Sequence, residues 1–227
     1  MAYDFDFNVI NSSNLEELGT GMLISLEITG VGVLAGIVCG SLLAMMRLSS
    51  VRSLRLLSEG YVTLCRSIPL VMVLMWFFLV IPRFLESALK VSPAADLRMI
   101  SSLIAFALFE ASYFSEIIRA GIQGVKGGQL FAARALGMNY GQTMFHVILP
   151  QAFRNMVPLL LMQGIILFQD TSLVYVSALS DFFGRAYSIG ERDGRIVEML
   201  LLAGAVYFSI CFFASQLART LHRSAQK

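Results

Sequence analysis

Charged residues are scarce in this sequence. Of its 227 residues 14% are Asp, Glu, Lys or Arg, whereas 57% are hydrophobic, and the mean hydropathy is +0.73. Soluble domains of this length carry more charge, about a quarter of their residues. The composition therefore excludes a soluble globular protein and predicts one integral membrane domain over residues 1–227.

Cysteine and histidine are also few, and neither is arranged as in a metal site. Cys39, Cys65 and Cys211 lie in or beside apolar segments, and their odd number and lack of CxxC spacing argue against a disulfide framework or a zinc site. His146 and His222 are isolated. We therefore expect no metal and no catalytic residue in this chain, and we interpret the cysteines as core residues.

A phosphate-binding loop of the GxxxxGK[ST] kind is missing, so the chain is not expected to hydrolyse ATP by itself. If a membrane protein without this loop transports a solute uphill, the energy must come from another subunit or an ion gradient. A secondary transporter usually shows more spans and an internal repeat. If this chain forms only half of a transport pathway across the membrane, a second, similar chain would supply the other half.

Five apolar segments are long enough to cross a bilayer, which takes about 20 helical residues. They lie near residues 20–46, 61–82, 99–118, 156–179 and 196–217. The predicted fold class is an all-α membrane protein with five transmembrane helices. Basic residues follow the first, third and fifth segments, whereas none precedes the first segment. The positive-inside tendency therefore places the N terminus outside and the C terminus in the cytoplasm.

A polar, cationic stretch without acidic residues occupies positions 126–150, on the predicted cytoplasmic side. Good helix formers from Gln129 to Leu136 precede Gly137, which suits the left-handed position after a helix. Asn139 and Gln142 match a capping box that opens a second helix, which we expect to end before the final proline of the stretch. This helix-turn-helix would lie on the bilayer or dock on a partner. Nucleic acid is not expected, because the bases are few and the stretch is tethered between two spans.

The same stretch carries a specific motif, in which Ala132-Ala133 is followed by Gly137 and, after nine more residues, by Val147-Ile148-Leu149-Pro150. This pattern resembles the cytoplasmic loop signature of binding-protein-dependent ABC importer permeases: Glu-Ala-Ala, three residues, Gly, nine residues, Ile, any residue, Leu, Pro. Phe131 replaces the glutamate of the signature, so the salt bridges of that glutamate are not expected here. The resemblance implies that the loop inserts into a cleft of a nucleotide-binding subunit. The positions implied in this ATPase coupling are Gln129, Phe131, Ala132, Ala133, Gly137, Val147, Leu149 and Pro150.

Further segments resemble the polar amino acid permeases of that family, the histidine, glutamine, arginine and glutamate group. They start at Arg66, Phe109 and Phe168, and together with Gly190-Glu-Arg-Asp-Gly194 they are most similar to permease subunits of glutamate/aspartate importers. The resemblance implies a type I importer (MetI-like) fold in a bacterial inner membrane. It also implies four kinds of neighbour: a second homologous permease or a second copy of this chain, two ABC ATPase subunits that hold ATP and Mg²⁺, a periplasmic amino acid binding protein and membrane lipid. The chain itself would hold no cofactor.

The sharpest candidate for a substrate pathway is a polar break inside the fourth span, formed by Gln169, Asp170, Thr171 and Ser172. Intramembrane charges normally face a cavity or a partner group, because a charge in hydrocarbon costs roughly 3 kcal/mol or more. Asp170 lies roughly 20 Å from the cytoplasmic end of its span and would pair with a substrate ammonium. The neighbouring hydroxyls and amide would bind its carboxylates. The alternative is a hydrogen-bonded clamp between helices that never meets substrate.

Two other intramembrane polar residues have open interpretations. Glu110, in the third span, is either part of the pathway or, as we favour, paired with a neighbouring helix. Arg66 either attracts an anionic substrate or extends to the membrane interface, and Pro69 marks a kink close to it. We further expect Glu116 and Arg119 to form an i,i+3 pair.

Gly32, Gly36 and Gly40 fall four apart on one face of the first span. This spacing predicts close helix packing within the chain, or a contact between permeases as the alternative.

The sequence thus predicts a permease subunit that carries glutamate or aspartate, with the same role for glutamine, histidine or arginine as the alternative. An ion-coupled carrier or channel acting alone and a non-transporting assembly factor are the rival interpretations from other classes.

Overall fold

The computed structural model describes residues 4–90 and 96–225, and no β-strand occurs among them. The α-helices are α1 (Ser12–Leu48), α2 (Arg52–Ser67), α3 (Leu70–Leu89), α4 (Arg98–Gln123), α5 (Gly127–Ala135), α6 (Tyr140–Thr143), α7 (Leu149–Asp170), α8 (Phe182–Arg192) and α9 (Ile196–Ala225). Short 3-10 segments at Phe7–Val9 and Thr171–Ser177 and a π-helical turn at Met144–Ile148 complete the described part.

Five helical segments are long and apolar enough to cross a membrane. They are Ser12–Leu48, Leu70–Ala88, Arg98–Gln123, Tyr140–Ser177 and Ile196–Thr220. The predicted all-α fold with five spans is confirmed, although several boundaries differ from the predicted ones.

The second span is the first difference. A single helix over 61–82 was expected, but α2 ends at Ser67 and α3 begins at Leu70, with Pro69 in an extended conformation between them. Proline disfavours the helical conformation of the residue before it, which explains the break. The residues 61–67 of α2 are not needed to cross the membrane, because Leu70–Ala88 has 19 residues and reaches about 28 Å by itself.

The second difference lies at Pro150, which does not end a helix. The helical path runs from α6 through the π-helical turn into α7, whose second residue is Pro150. Proline is tolerated in the first turn of a helix, because the N–H that it lacks has no partner there in most helices. The wider π turn fits this position, since the Leu149 N–H donates to the Met144 carbonyl oxygen, five residues back.

The described chain divides into two compact units. Unit 1 comprises residues 4–33, 68–90, 96–107 and 165–214, and unit 2 comprises 34–67, 108–164 and 215–225. The core of unit 1 contains Val9, Leu18, Phe182, Ala186, Ile189, Met199 and Ala203. A cluster in unit 2 contains Ala44, Ile118 and Met156.

The glycines of α1 pack closely against other helices of the same chain, as predicted. In unit 2, a Cβ on Gly36 would come within 2.7 Å of the Phe114 ring, and one on Gly40 within 2.9 Å of the Ser115 backbone nitrogen. In unit 1, a Cβ on Gly32 would lie 2.9 Å from Leu167. The small residues let α1 approach its neighbours.

The cysteines do not all lie in a core. Cys211 is buried, Cys65 is half-buried and Cys39 is exposed, and all three are free thiols. The expectation of core packing is therefore wrong for Cys39, whose position in an apolar helix does not indicate which face of α1 it occupies.

Candidate functional site

The predicted polar break forms where α7 changes to a 3-10 helix within unit 1. The α-helix ends at Asp170, and the 3-10 segment Thr171–Ser177 ends at Ala178, which has a left-handed backbone (φ 56°). The Thr171 hydroxyl donates to the Phe168 carbonyl oxygen and the Ser172 hydroxyl to the Gln169 carbonyl oxygen, each at 2.8 Å. These side chains satisfy carbonyls at the end of α7, where the regular ladder stops.

A cavity of about 400 Å³ opens beside the break, and Gln169 and Ser172 line it. This volume is within the range of small-molecule sites, about 300–1,000 Å³. The remaining lining residues come from α8 and α9 and are Phe183, Leu200, Ala203, Gly204 and Tyr207. A cavity with mostly apolar walls and a few polar groups at one end can hold an amino acid, because the amide and hydroxyl offer both donors and acceptors.

The four predicted residues of the break do not share one environment. Gln169 is exposed and Ser172 is half-buried, and both line the cavity. Thr171 is fully buried, whereas Asp170 is half-buried and lies outside the lining of this cavity. The structure thus brings the amide and one hydroxyl to the cavity and leaves the roles of all four residues as predictions.

A buried carboxyl group is hydrogen-bonded to Tyr207, one of the residues that line the cavity. Asp181 is fully buried at the N-terminal cap of α8, and its carboxyl oxygens accept hydrogen bonds from the backbone N–H groups of Gly184 (2.9 Å) and Phe183 (3.2 Å). The hydroxyls of Ser25 and Tyr207, each at 3.4 Å, complete its surroundings. Burial raises the pKa of Asp181, although these four hydrogen bonds oppose the increase.

Sequence reasoning missed Asp181, although a signal was present. Aspartate directly before a helical run is a preferred N-cap, and Phe182–Arg192 is such a run. Its link to the cavity had no such signal, because Tyr207 is 26 residues away in the sequence. The Tyr207 ring also packs on Phe168 and Phe182, with centroid distances of 5.2 and 5.5 Å.

Glu110 pairs with a neighbouring helix, as we favoured. Its side chain is fully buried in α4, and the amide Nε2 of Gln163 in α7 donates to its carboxyl oxygen at 3.0 Å. Both residues belong to unit 2. Gln163 was missed because a single glutamine in an apolar run has no periodicity that identifies its partner.

Arg66 has a contact that neither interpretation anticipated. Its guanidinium carbon lies 5.3 Å from the centroid of the Tyr113 ring, a cation–π distance, and the side chain is otherwise exposed. Tyr61, one turn and a half earlier on α2, donates its hydroxyl to the Leu108 carbonyl oxygen at 2.6 Å. These contacts hold α2 against α4 in unit 2, and they leave the two interpretations of Arg66 open.

The Glu116–Arg119 ion pair is confirmed, and it extends further than predicted. The Glu116 carboxylate pairs with Arg119 on the same helix and also with Arg47 on α1. This two-sided pair joins α1 to α4 within unit 2.

The loop at 126–150 has the predicted helix-turn-helix form. Gly137 has a φ of +81°, and the N–H groups of Gly137 and Met138 donate to Arg134 and Ala133 carbonyl oxygens, which is the Schellman arrangement. The capping box is present too: the Gln142 N–H donates to Asn139 Oδ1 at 2.9 Å, and the Asn139 N–H donates to Gln142 Oε1 at 3.0 Å. The predicted turn at Gly137 and the predicted capping box are both confirmed.

The loop exposes large apolar side chains. Phe131 and Phe145 are 69% and 72% exposed, and Leu136 and Tyr140 are comparably accessible. Of the positions that the signature implicates, Gln129, Phe131, Ala132, Gly137, Leu149 and Pro150 are exposed, Val147 is half-buried and Ala133 is buried. Gln129 also accepts a long hydrogen bond (3.4 Å) from Gln151 at the start of α7.

The chain is similar to known amino acid transport proteins over most of its length. The sequence is 56% identical over 221 residues, 97% of this chain and 98% of the relative, to the glutamate/aspartate import permease protein GltK of Escherichia coli O157:H7. It is 32% identical over 203 residues, 89% of this chain and 90% of the relative, to the arginine transport system permease protein ArtQ of Bacillus subtilis (strain 168). A crystal structure of an amino acid ABC transporter with histidines contains a chain with the same fold, at a TM-score of 0.87 and 27% identity, covering 98% of this chain and 100% of that one.

The family model for binding-protein-dependent transport system inner membrane components matches residues 32–227. This range includes the loop at 126–150, the polar break and four of the five candidate spans in full. The chain belongs to the family of binding-protein-dependent transport system inner membrane components, as a permease subunit of an ABC transporter.

Proposed function

We propose that this permease subunit imports glutamate and aspartate across a bacterial inner membrane. The substrate is inferred from the near full-length similarity to the glutamate/aspartate import permease of E. coli. The alternative is another polar amino acid, which the similarity to the arginine permease of B. subtilis supports.

The polar break and its cavity are the proposed place of substrate contact. Gln169 and Ser172 line a cavity of about 400 Å³ and would hydrogen-bond the carboxylates of the amino acid. Asp170, half-buried at the end of α7, would pair with its ammonium group. Thr171, which is buried and bonded to the backbone, would hold the turn, and Glu110 and Arg66 remain candidates for the pathway in unit 2.

A permease dimer would form the complete pathway, with a second homologous permease or a second copy of this chain as the other half. The N terminus would face the periplasm and the C terminus the cytoplasm, as the distribution of basic residues predicts. A periplasmic binding protein would then deliver the amino acid on the side of the N terminus.

The loop at 126–150 would join the permease to an ABC ATPase, of which two copies hold the ATP and Mg²⁺. Exposed apolar side chains next to cations, with no acid in the stretch, suit a partner cleft that is apolar with an acidic edge. Phe131 stands where the family signature has glutamate, so this contact would be apolar in the present chain. ATP-driven closure of the ATPases would move the loops and switch the access of the pathway.

The experiment is uptake by the assembled transporter in proteoliposomes, with its ATPase and binding protein. Radiolabelled glutamate should enter in an ATP-dependent manner, and unlabelled aspartate should compete more strongly than arginine, histidine or glutamine. Stronger competition by one of those three amino acids would reassign the substrate. Flux through this chain alone, without ATPase and binding protein, would instead support an ion-coupled carrier or channel.

A further inference from the structure

A second cavity of unit 1 carries charges that the polar break does not use. It has a volume of about 430 Å³ and lies between the second half of α3 and the residues 96–98 at the start of α4. The α3 side contributes Phe78, Leu79 and Pro82 as apolar lining, followed by Arg83 and Glu86.

Two of the four charged residues in this lining neutralise each other. Arg98 donates to the Asp96 carboxylate through Nε (2.8 Å to Oδ1) and Nη2 (2.5 Å to Oδ2). This pairing lowers the pKa of Asp96 to about 2, so both groups are ionised at neutral pH. The remaining nitrogen, Nη1, donates to the Ala178 carbonyl oxygen at 2.6 Å. All three nitrogens of Arg98 thus already donate to acceptors of the protein.

Arg83 and Glu86 are the other two charges, and neither forms an ion pair with any residue that the structure describes. Three residues apart on a helix, their Cβ atoms are neighbours at about 5–6 Å. The cavity thus presents a cation and an anion side by side above an apolar lining. An α-amino acid carries the complementary pair, since its carboxylate suits the guanidinium fork and its ammonium suits the carboxylate.

The position of the cavity relates it to the proposed pathway. The Arg98–Ala178 hydrogen bond ties it to the end of the 3-10 segment that follows the polar break. Ala178 is eight residues beyond Asp170, which corresponds to about 16 Å at the rise of a 3-10 helix. This distance is about half of the hydrocarbon thickness of a bilayer. On the predicted topology the fourth span ends beside Ala178 at the outer side, so the cavity lies on that side.

We propose that this α3 cavity is a separate binding site for the headgroup of an α-amino acid, in which substrate is held before it reaches the polar break. Arg83 binds the α-carboxylate, Glu86 binds the α-ammonium, and Phe78 and Leu79 contact the methylene groups of the side chain. The site deepens the proposed function and rests on it for the direction of transport. Its ligand class is a zwitterionic amino acid.

A labelling experiment on the assembled transporter tests the site directly. Cys39, Cys65 and Cys211 are replaced with Ser, and Leu79, which is 53% exposed, is replaced with Cys. The rate of its reaction with a membrane-impermeant maleimide is measured in proteoliposomes, without binding protein, with and without L-glutamate. We expect L-glutamate to slow labelling several-fold, because the bound amino acid covers position 79. Glutarate, which has the same carboxylates but no ammonium, should protect less.

Matched variants separate this site from other causes of protection. Arg83→Gln and Glu86→Gln should each abolish protection by L-glutamate, whereas Lys90→Gln, a neighbouring cation outside the cavity, should keep it. Equal labelling with and without L-glutamate in the Leu79→Cys transporter would overturn the proposal. Protection by ligand-free binding protein but not by L-glutamate would also overturn it and would identify a docking surface instead.

Uptake by the transporter with its native Leu79 distinguishes failure of this site from failure of the proposed function. If glutamate uptake with binding protein and ATP is intact but L-glutamate does not protect position 79, the α3 site is wrong and the transport function stands. If the parent transporter, with its native Leu79, does not take up glutamate, the proposed function itself is wrong.

Discussion

The loop at 126–150 and the polar break at 169–172 are stabilised in opposite ways. The turns of the loop are closed by hydrogen bonds between residues at most five apart, those of the Schellman arrangement and the capping box. The break is supported by side chains far away in the sequence, since Asp181 joins Ser25 of α1 to Tyr207 of α9 beside the cavity. The form of the loop is therefore set by its own local hydrogen bonds, whereas the cavity depends on the packing of several helices.

The largest effect is expected at the break itself. Asp170→Asn removes the charge proposed to pair with the substrate ammonium and should lower ATP-dependent uptake by at least about tenfold, the value of a charged contact of about 1.4 kcal/mol or more. The measurement is initial uptake in proteoliposomes at equal amounts of assembled complex. Asn at this position has nearly the same size, so assembly should be unchanged. Uptake like that of the wild type would remove Asp170 from the pathway.

The second prediction tests whether the loop needs the left-handed turn at Gly137 to bind the ATPase. Gly137→Val forces a β-branched residue into the left-handed conformation at φ +81°, at a cost of roughly 1–2 kcal/mol. Apart from the adjacent residues, no atom lies within 4 Å of a Cβ built on Gly137, so the Cβ itself adds no clash to this backbone strain. The ATPase should then co-purify in reduced amounts.

Gly137→Asn is the matched control, because asparagine tolerates the left-handed region, and it should retain the ATPase. Full co-purification of both variants would show that the turn is not needed for docking.

A third prediction concerns the long-range support of the cavity. Asp181→Ala removes an N-cap, worth about 1 kcal/mol, and leaves buried hydroxyl donors without their acceptor, at about 1–3 kcal/mol. The thermal unfolding midpoint of the purified complex should fall. Uptake should fall with it, because the Tyr207 hydroxyl loses the carboxylate to which it donates a hydrogen bond. Asp181→Asn, which keeps an acceptor oxygen, should be milder. Equal midpoints for Asp181→Ala and wild type would contradict the supporting role.

The pH dependence of this support has a defined sign. Burial raises the pKa of Asp181 in the folded protein above its unfolded value, so the protonated form is favoured by folding. That contribution is complete below the unfolded pKa and is lost as the pH rises through the folded pKa. Wild type should therefore gain stability relative to Asp181→Asn as the pH is lowered from neutral towards the ordinary pKa of an aspartate. Parallel melting curves at all pH values would show that Asp181 does not titrate in this range.

The smallest effect is expected at the capping box. Asn139→Ala removes one acceptor at the start of a short helix and should cost about 1 kcal/mol locally, whereas Asn139→Asp should be close to neutral. Hydrogen exchange of the Gln142 amide measures this cost. Because the box is local, exchange near Tyr207 should not change, and a change there would contradict the separation between the two regions.

The features that the sequence predicts well are those whose signals are local. Gly137 and the Asn139–Gln142 pair are recognisable because turn and cap preferences act within a few residues. Spans follow from length and hydropathy alone, so their number is right. Pro69 and Pro150 show the limit of such signals, since one proline separates two helices and the other lies inside a continuous helical path.

Partners across the fold were not predictable in the same way. The Gln163–Glu110 bond joins residues 53 apart, and the Arg66–Tyr113 contact joins residues on two different helices. Which face of α4 meets α2 or α7 depends on packing of the whole unit, which no local pattern specifies. The same holds for Asp181, whose cap was visible in the sequence but whose link to the cavity through Tyr207 was not.

The π-helical turn at Met144–Ile148 has a mechanical consequence. It keeps the second helix of the loop continuous with α7, so no irregular segment separates the C-terminal side of the loop from the fourth span. The N-terminal side differs, because α4 ends at Gln123 and the next residues include Gly124, Gly127 and Gly128. A displacement of the loop would therefore be transmitted along α7 rather than through the segment that contains the glycines.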